Sequence, residues 1–547
     1  MLARSRPVLL RLSMVAAITA AAAGEGLAQT VTDPNLTVSL VVNGLSSPTT
    51  MAFVGSGDIL VLQKNNGQVR RVLNGVLQAA PVLDFPVNAQ SERGLLGIAV
   101  NSTVSPPQVF FYVTEAASDG ATAIANRVYR YNWNAGAGTL TNPLLVLDLP
   151  VTAGPNHDGG VLTVDGSGRL HAVIGDLNRN GQLQNNAGGP PPDDTSVILR
   201  VNPDGTAAAG NPFTPYCSAT TAQTCTSNAN CPGGETCRTQ VGRYYAYGVR
   251  NSFGMAIDPV TGALWNTENG PATYDEINRV GPGFNSGWNP LMGPDSRDPE
   301  GVGDLFNMPG AGLTYSDPEF SWLTPVAVTA ILFPRGVSAI YDDMALVGDS
   351  NNGNLYRFPL NPARDGFNLA AFTGLSDLVA DTVTEREAVR IGSGFNGITD
   401  LKQGPDGAIY VVSIVGGAIY RISGGGRDYH TVTPCRLVDT RTSTPLASGI
   451  ERLFTLTEGT CGVPTTARAL ALNVTVTGPT GQGFVTLFPG NFTLPASSNL
   501  NFSAGQTRAN NAVSALSTDG LGRVRALASV TGPGTVHLII DVAGYFE

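Results

Sequence analysis

One pattern of sequence returns six times between residues 57 and 422, and it constrains the fold more than any other feature. Each copy has a turn with Gly or Asp, a β-rich apolar run, a second turn with Gly or Asn, and an apolar run that carries an Arg. The first copy is Gly57–Leu62 followed by Gly67–Val72, and the last is Gly407–Val412 followed by Gly417–Ile422. The other four copies begin at Val109, Gly168, Gly262 and Met344.

The repeat predicts an all-β chain. Units of short strands joined by Gly-rich turns favour a β-propeller, because radial packing of the units protects the strand edges. No segment has convincing helical periodicity. Six copies predict a six-bladed β-propeller over residues 35–425, in which the apolar strand Leu36–Val42 pairs into the last blade and closes the ring. An array of β-sandwiches is the alternative.

The charge pattern excludes several classes of protein. Only 14% of the 547 residues are charged, with 32 Lys and Arg against 42 Asp and Glu, and the hydrophobic share is 42%. This composition excludes an intrinsically disordered chain and a coiled coil. The chain has two lysines, Lys64 and Lys402. Because neutralising phosphates requires clustered basic residues, we expect no nucleic-acid partner.

The first 28 residues have the pattern of a secretory signal peptide. Arg4, Arg6 and Arg11 precede or begin an apolar run, Leu12–Ala23, and small residues follow up to Ala28. The alternative is a membrane anchor, but the run is too short to cross about 30 Å of hydrocarbon. No later run of 18 apolar residues exists, so we expect a secreted or periplasmic protein with no transmembrane segment.

The cysteines are even in number and clustered, which in an oxidising compartment indicates disulfides. Cys435 and Cys461 lie together near the C-terminus. The other four lie in a loop insertion over residues 216–238, and sequence alone leaves their three pairings open. Zinc is the alternative, although the spacing lacks a C-x2-C knuckle. The four are Cys217, Cys225, Cys231 and Cys237.

A separate module is expected over residues 430–547, after a run of three glycines at 424–426. Its strands alternate apolar and polar residues, as in Ala469–Val476 and Val536–Tyr545, which predicts a β-sandwich. The module resembles those appended to secreted bacterial enzymes. We expect either contact with a cell surface or a glycan, or a passive role in stability.

Three loops between the repeats carry the residues with chemistry. His157 lies in the glycine-flanked loop Pro155–Gly160, as a proton-transfer group would, and Arg250 lies in Gly248–Gly254. Carboxylates and turn carbonyls interleave over residues 268–278, a donor set that suits Ca²⁺. Each signal has a structural explanation when taken alone.

Together and in this order, the motifs resemble the soluble quinoprotein glucose/sorbosone (aldose sugar) dehydrogenases over residues 35–425. These are six-bladed propellers that use pyrroloquinoline quinone (PQQ) and Ca²⁺. The motifs that carry the resemblance are Glu92–Ala99, Asn156–Gly160, Ile174–Asp176, Gly248–Asn251, Glu268–Pro271 with Asp275–Asn278, and Asn285–Trp288.

The resemblance implies a role for each matching residue. His157 would be the general base that takes the proton of a sugar C1 hydroxyl. Arg250 and Asn251 would contact the quinone oxygens, and Glu92 would be a polar active-site residue. The remaining residues would serve the calcium ion. The carbonyls of Gly270 and Pro271 would bind it, and Asp275 and Glu276 would bind or support a calcium nearby.

The chain departs from the family where basic residues hold the PQQ carboxylates. The family's Lys position is Asn351 here, and its two Arg positions are Gly397 and Thr399. Lys402 and Arg390 lie nearby in the sequence. We therefore expect weaker PQQ binding than in relatives with the full set, and we expect Arg at positions 397 and 399 to strengthen it.

The function predicted from these residues is an exported quinoprotein that oxidises the C1 hydroxyl of aldose sugars to lactones, with PQQ and Ca²⁺ as cofactors. The sequence does not name the sugar or the electron acceptor. The alternative is a non-catalytic propeller that binds a glycan or a protein. A metal-dependent lactonase is a weaker third candidate.

Overall fold

The computed structural model of the protein describes residues 29–298, 301–309, 314–337, 341–424 and 429–547. The predicted signal peptide lies outside these ranges. The described chain is almost entirely β, with 36 strands and one short α-helix, so the all-β prediction is confirmed. None of its helices is both long and apolar enough to cross a membrane.

The strands up to residue 424, in chain order, are Thr30–Val31 (β1), Leu36–Val42 (β2), Pro48–Gly55 (β3), Asp58–Gln63 (β4), Gln68–Leu73 (β5), Val76–Leu77 (β6), Leu83–Asp84 (β7), Leu95–Asn101 (β8), Gln108–Ala116 (β9), Ala123–Asn134 (β10), Thr139–Leu149 (β11), Leu162–Val164 (β12), Leu170–Ile174 (β13), Val197–Val201 (β14), Tyr244–Tyr247 (β15), Gly254–Ile257 (β16), Leu264–Glu268 (β17), Asp275–Val280 (β18), Phe320–Trp322 (β19), Val328–Leu332 (β20), Met344–Asp349 (β21), Leu355–Pro359 (β22), Val379–Ala380 (β23), Arg390–Ser393 (β24), Ile398–Gln403 (β25), Ile409–Ser413 (β26) and Ala418–Gly424 (β27).

The strands after residue 428 are Tyr429–Asp439 (β28), Leu446–Ala447 (β29), Glu451–Thr455 (β30), Ala469–Thr477 (β31), Gly483–Pro489 (β32), Leu500–Phe502 (β33), Arg508–Ala515 (β34), Arg523–Val530 (β35) and Thr535–Phe546 (β36). The α-helix is Val383–Ala388 (α1), which begins at a capping box formed by Thr382 and Glu385. Short 3₁₀ helices cover Gln182–Gln184, Asn228–Asn230, Pro232–Gly234, Thr239–Arg243, Asp295–Arg297, Gly301–Asp304 and Thr440–Thr442.

Strands β1–β27 form six sheets, each built mainly from strands that follow one another in the chain. Sheet 1 contains β3 to β7, sheet 2 β8 to β11, and sheet 3 β12 to β15. Sheet 4 contains β16 to β19 and β23, which joins β19 in parallel. Sheet 5 has the order β20-β21-β22-β24-β1, and sheet 6 has the order β25-β26-β27-β2.

Both halves of every sequence repeat lie in one sheet as antiparallel neighbours. The pairs are β4–β5, β9–β10, β13–β14, β17–β18, β21–β22 and β26–β27. The predicted pairing of Leu36–Val42 with the last repeat is also confirmed, because β2 pairs with β27 from Leu36 opposite Gly424 to Val42 opposite Ile419. The N-terminal strand thus completes the sheet formed by the last repeat.

The first strands of the six sheets contact one another in chain order. Strand β3 contacts β8, β8 contacts β12, β12 contacts β16, β16 contacts β20, β20 contacts β25, and β25 returns to β3. Buried side chains fill the spaces between neighbouring sheets, as where Tyr112 of β9 joins one hydrophobic cluster with Leu199 of β14. The loops beside these first strands therefore meet around one axis.

The turns of the repeat explain why the glycines recur. Gly67 has φ +67°, and a Cβ there would lie 1.8 Å from the carbonyl oxygen of Phe85. No side chain fits this position, and glycine adopts the left-handed conformation without strain. The turn that separates β4 from β5 depends on this residue.

The predicted insertion projects between β14 and β15 and is mostly exposed. Disulfides join Cys217 to Cys231 and Cys225 to Cys237. The sequence-based choice of disulfides over zinc is confirmed, and the structure selects one of the three pairings. A third disulfide joins Cys435 to Cys461, as expected.

Strands β28–β36 form two further sheets. One has the order β28-β36-β31-β34 with β29 beside β36, and the other has the order β30-β35-β32-β33. Both sheets contribute to one hydrophobic core, in which Leu470 and Leu538 of the first sheet join Val485 and Ala526 of the second. The buried residues alternate along β31, which is the pattern that the sequence displays.

Candidate functional site

A cavity of about 410 Å³ lies where the first strands of the six sheets meet. Every one of these strands contributes to its wall, with Thr49 from β3, Leu96 from β8, Leu162 from β12, Gly254 from β16, Thr329 from β20 and Thr399 from β25. His157, Arg250, Asn251 and Glu92 also line it. The four residues predicted for the reaction centre are therefore brought together.

His157 is held by a carboxylate behind it. Its Nδ1 lies 2.6 Å from Oδ1 of Asp176, which also accepts the backbone N–H of Asn178, while Oδ2 accepts the indole N–H of Trp288 at 2.7 Å. Because the carboxylate accepts, Nδ1 carries the proton and Nε2 is the nitrogen that can take up another. His157 adopts a left-handed φ of 64° in the loop that places its ring.

Close packing of three loops depends on Gly175, which follows β13. A Cβ on this glycine would lie 2.4 Å from the carbonyl oxygens of both His157 and Arg250. The loops that carry the base and the arginine can therefore approach each other only across a residue without a side chain. This contact explains why the Gly that precedes Asp176 belongs to the motif.

Glu92 forms hydrogen bonds to the loops that carry His157 and Asn251. Its Oε2 accepts the backbone N–H of His157 and, at 3.1 Å, the amide of Asn251. Residues 92, 157 and 251 come from loops of three different sheets. Glu92 thus orients the His157 backbone as well as contributing a charge to the wall.

The guanidinium group of Arg250 lies over the ring of Trp288. Its guanidinium carbon is 5.1 Å from the centre of the Trp288 ring, and Nη1 donates to the carbonyl of Asn269 at 2.7 Å. Burial lowers the pKa of Arg250, against the opposing effect of nearby carboxylates such as Asp176. Among the described residues, neither Nε of Arg250 nor Oδ1 of Asn251 has a hydrogen-bond partner. Both groups retain capacity to bind a polar ligand.

Two buried glutamates lie opposite each other on neighbouring strands, Glu268 on β17 and Glu276 on β18. Burial raises the pKa of Glu268 to about 7. Burial and then the charge of Glu268 raise the pKa of Glu276 to about 8. Glu268 accepts the N–H of Arg250 at 2.6 Å and the hydroxyl of Ser286 at 2.7 Å. It therefore anchors the backbone at Arg250.

Asp275 stabilises the turn at Gly270 and Pro271, which is predicted to bind calcium. Its carboxylate accepts the N–H groups of Gly270 at 3.0 Å, Val326 at 2.8 Å and Val328 at 3.1 Å. With its oxygens engaged by backbone amides, Asp275 supports the turn. A Cβ on Gly270 would lie within 2.2 Å of the carbonyl oxygens of Thr273 and Tyr274, so oxygen atoms crowd this position.

The four predicted metal residues occupy different environments, although Asp275 contacts Gly270. Gly270 lines the cavity, Pro271 is exposed, and Glu276 accepts from the N–H of Gly293 and the amide of Asn278 away from the cavity wall. Within the described ranges, one group of at least three His, Cys, Asp or Glu residues has ligand atoms close enough to share a metal. It consists of Cys217, Cys225 and Cys231, which are engaged in disulfides.

The loop predicted to replace the family's lysine lines the cavity through Ser350, whereas Asn351 is exposed and lies off the wall. Asn351 matches the family's cofactor-binding lysine position, and a role for it in cofactor binding stays a prediction. Gly397 is also absent from the wall, and Thr399 is present. Lys64 and Lys402 both line the cavity.

Comparison with known proteins decides the family. A family model described as glucose / sorbosone dehydrogenase matches residues 45–421. The chain belongs to this family. The predicted family and the assignment to a family of oxidoreductases are confirmed, and the match ends before the strands β28–β36.

Two curated relatives share this part of the chain. An aldose sugar dehydrogenase, YliI, of Escherichia coli is 24% identical over 396 residues, covering 69% of this chain and 89% of the relative. An uncharacterized protein of Synechocystis is 29% identical over 278 residues, which cover 47% of this chain. The alignment spans 59% of the length of the Synechocystis protein.

Solved structures confirm the fold of the same region. The apo form of the soluble aldose sugar dehydrogenase of Escherichia coli superposes with a TM-score of 0.53 at 22% identity, covering 71% of this chain and all of that one. The PQQ-bound aldose sugar dehydrogenase of Streptomyces coelicolor has a TM-score of 0.50 at 23% identity, covering 71% and 98% of the two chains. At these identities the likeness establishes the fold.

Two groups in the site of this glucose/sorbosone dehydrogenase family member have roles that the sequence did not assign. Asp176 was part of a motif, but its pairing with His157 depends on a fold that brings β13 beside the His157 loop. Lys64 and Lys402 are 338 positions apart in the sequence, and only the fold brings both to the cavity wall. The rarity of lysine was the available signal.

Proposed function

We propose that this protein oxidises the C1 hydroxyl of aldose sugars to lactones, with PQQ and Ca²⁺ as cofactors. The observation that carries the proposal is the pairing of His157 with Asp176 beside Arg250 and Asn251 in one cavity. A base with a defined tautomer and two polar groups with unused hydrogen-bonding capacity are what proton removal next to a polar oxidant requires.

The residues present fit PQQ. Arg250 and Asn251 both line the cavity, and buried Nε of Arg250 has no partner among the described residues. Trp288 supports the guanidinium face from behind. These groups would hold the quinone oxygens, and the cations Lys64, Arg250 and Lys402 suit an anionic cofactor.

When bound, PQQ supplies a two-electron acceptor for the hydride that leaves C1. The protein's own residues perform the proton chemistry. His157 Nε2 takes the C1 hydroxyl proton, and Asp176 stabilises the positive charge that the ring then carries. Glu92 keeps the His157 backbone in place, and Arg250 stabilises negative charge that develops on the acceptor oxygens. Loss of one proton and one hydride converts the cyclic aldose to its lactone.

Calcium fits the turn that Asp275 pins. The carbonyls of Gly270 and Pro271 would bind the ion, which prefers hard oxygen donors. Gly270 lies on the cavity wall, and the neighbouring carbonyls of Thr273 and Tyr274 crowd toward it. Asp275 and Glu276 would bind or support a calcium nearby, because carboxylate oxygens are hard donors.

The architecture that we propose is a six-bladed β-propeller over residues 35–425 and a β-sandwich over residues 430–547. The ring of contacts through β3, β8, β12, β16, β20 and β25 supports six blades. The common core of the two C-terminal sheets supports the sandwich. We also propose export, which the three disulfides favour.

The test is oxidation of aldoses by residues 29–547 with added PQQ and Ca²⁺, followed with an artificial electron acceptor and by mass spectrometry of the lactone. A 1-O-methyl glycoside is the control substrate, because it has no free C1 hydroxyl. His157→Ala should lower the rate about 10²–10⁴-fold. His430→Ala, an exposed histidine of the C-terminal module, is the matched control and should leave the rate unchanged.

Binding of PQQ without oxidation of any aldose would contradict the proposal and favour the alternative of a binding propeller. Oxidation of the methyl glycoside at a similar rate would contradict attack at the C1 hydroxyl. Full activity in His157→Ala would remove this residue from the proton transfer.

A further inference from the structure

Both lysines of the chain line the same cavity. Lys64 follows β4 in sheet 1, and Lys402 lies on β25 in sheet 6. These sheets are neighbours, because β25 contacts β3. A chain that otherwise uses arginine for its positive charges therefore places its two flexible ammonium groups at one end of the site.

Lys402 is oriented by an ion pair. Its Nζ lies 3.0 Å from Oδ1 of Asp400, two residues earlier on the same face of β25. Asp400 is itself fixed, because its Oδ2 accepts the hydroxyl of Thr50 at 2.6 Å and the N–H of Met51 at 3.1 Å. An ammonium group has three protons, so the contact with Asp400 leaves donors available to a ligand.

Lys64 is half-buried, as Lys402 is. Its Nζ donates to the carbonyl of Ser91 at 2.7 Å, beside Glu92. Burial lowers the pKa of Lys64, and the charges of Glu92 and Asp158 oppose that effect. Lys64 therefore places positive charge on the wall while it holds the loop that carries Glu92.

The positions at which the family has its basic residues offer no cation here. Asn351 is exposed, Gly397 has no side chain, and Thr399 donates to the carbonyl of Pro48 at 3.1 Å. Arg390, the other basic residue near this loop, pairs with Glu387 and is not part of the wall. Among the described wall residues, Lys64, Arg250 and Lys402 carry the positive charge.

We propose that Lys402, assisted by Lys64, binds the carboxylate groups of PQQ in this protein and replaces the family's basic residues at positions 351, 397 and 399. The proposal rests on the proposed function, because it takes PQQ as the ligand. It differs from the sequence-based expectation of weak binding in assigning the role to lysines of two neighbouring sheets.

The test is titration calorimetry of PQQ, with Ca²⁺ present, into the full chain from residue 29 and into its variants. Lys402→Gln should raise the Kd at least about tenfold, because it removes a charge-assisted contact. Lys64→Gln should raise it less. Lys402→Arg should restore binding to within about threefold of the unmodified chain, because the charge returns. Arg390→Gln is the matched control and should bind like the unmodified chain.

A double variant separates direct contact from simple neutralisation of Asp400. In Lys402→Gln alone, Asp400 keeps its hydrogen bonds but loses its ion-pair partner, and its negative charge would repel an anion. If Lys402 contacts PQQ, the double variant Lys402→Gln with Asp400→Asn should still bind at least about fivefold more weakly than Asp400→Asn alone. Equal binding by these two proteins would overturn the proposal.

A second readout uses the scarcity of lysine. Amine-reactive labelling and peptide mass spectrometry can follow both ε-amines separately, and PQQ should slow labelling of Lys402 at least about threefold by direct shielding. Tight PQQ binding that leaves the labelling and the Lys402→Gln affinity unchanged would overturn this inference but keep the proposed function. Failure of PQQ to bind the unmodified chain would overturn both.

Discussion

Replacing Asp176 by Asn tests the proposed role of Asp176 in preparing His157 for proton removal. The two carboxylate oxygens accept three hydrogen bonds, from His157 Nδ1 and the Asn178 N–H on one oxygen and from the Trp288 indole on the other. All three partners point donors at Asp176. An asparagine side chain has one oxygen and one NH₂ group, so it cannot accept all three.

Each orientation of the asparagine has a cost that follows from this geometry. If NH₂ faces the indole of Trp288, two donors oppose each other, and a buried unsatisfied donor costs about 1–3 kcal/mol. If NH₂ faces His157, Nδ1 must accept and the proton moves to Nε2, so the base is lost. The second arrangement predicts a large effect, since the equivalent change behind a serine-protease histidine lowers kcat about 10⁴-fold.

The expected result is a fall of about 10²–10⁴-fold in the rate of aldose oxidation, with little change in PQQ affinity. Single-turnover spectroscopy of the PQQ-loaded protein measures the first quantity, and calorimetry measures the second. Asp165→Asn is the matched control, because Asp165 pairs with Arg169 and does not line the cavity. A rate for Asp176→Asn within about threefold of the unmodified protein would refute this account of tautomer control.

Three further predictions concern stability. Burial lowers the pKa of His171 to about 4, below its unfolded value, so the folded state loses stability as the pH falls from about 6.5 toward 4. The variant His171→Leu should remove up to about 3 kcal/mol of this loss, measured by urea titration at both pH values. The control variant His430→Leu should leave the loss unchanged. Replacing Cys435 and Cys461 together by Ser should lower the free energy of unfolding of the C-terminal module by about 3 kcal/mol, measured by denaturant titration of the full chain; an unchanged midpoint would count against the bond. A chain ending at Gly424 should melt cooperatively and keep the sugar oxidation, because the core of strands β28–β36 contains only residues of that module; failure to fold would mean that the two parts share stability.

The repeat predicted the paired strands because the apolar runs and the Gly turn between them are close together in the sequence. An apolar run followed by a Gly turn and a second run specifies an antiparallel pair, and all six pairs form. Closure by Leu36–Val42 was also predictable, since a lone strand before the first repeat needs a partner. The parallel addition of β23 to β19 carried no such signal, because three strands of sheet 5, β20 to β22, separate the two in the chain.

The sequence predicted which residues form the candidate site, but it did not predict the hydrogen bonds between them. The motifs placed His157, Arg250 and Asn251 on loops of one fold, and the cavity contains all three. The bond between Glu92 and Asn251 joins residues 159 positions apart. Only the three-dimensional arrangement of the sheets reveals such a bond, and the same holds for the pairing of His157 with Asp176.

The residues at the start of β25 limit what a match by position with the family can predict. Position 397 corresponds to an arginine in the family, so restoring Arg at 397 and 399 was expected to strengthen PQQ binding. Gly397 has φ +80°, and a Cβ there would lie 3.1 Å from Ile414 Cγ2 and 3.2 Å from the Ser350 carbonyl oxygen. An arginine at this position would strain the backbone and crowd its neighbours. Thr399 lies on the wall and has no such restriction, so the backbone in this protein accepts a cation at 399 and 402 but not at 397. In this protein, positive charge can be added near β25 only at a position whose side chain lines the cavity, as position 399 does.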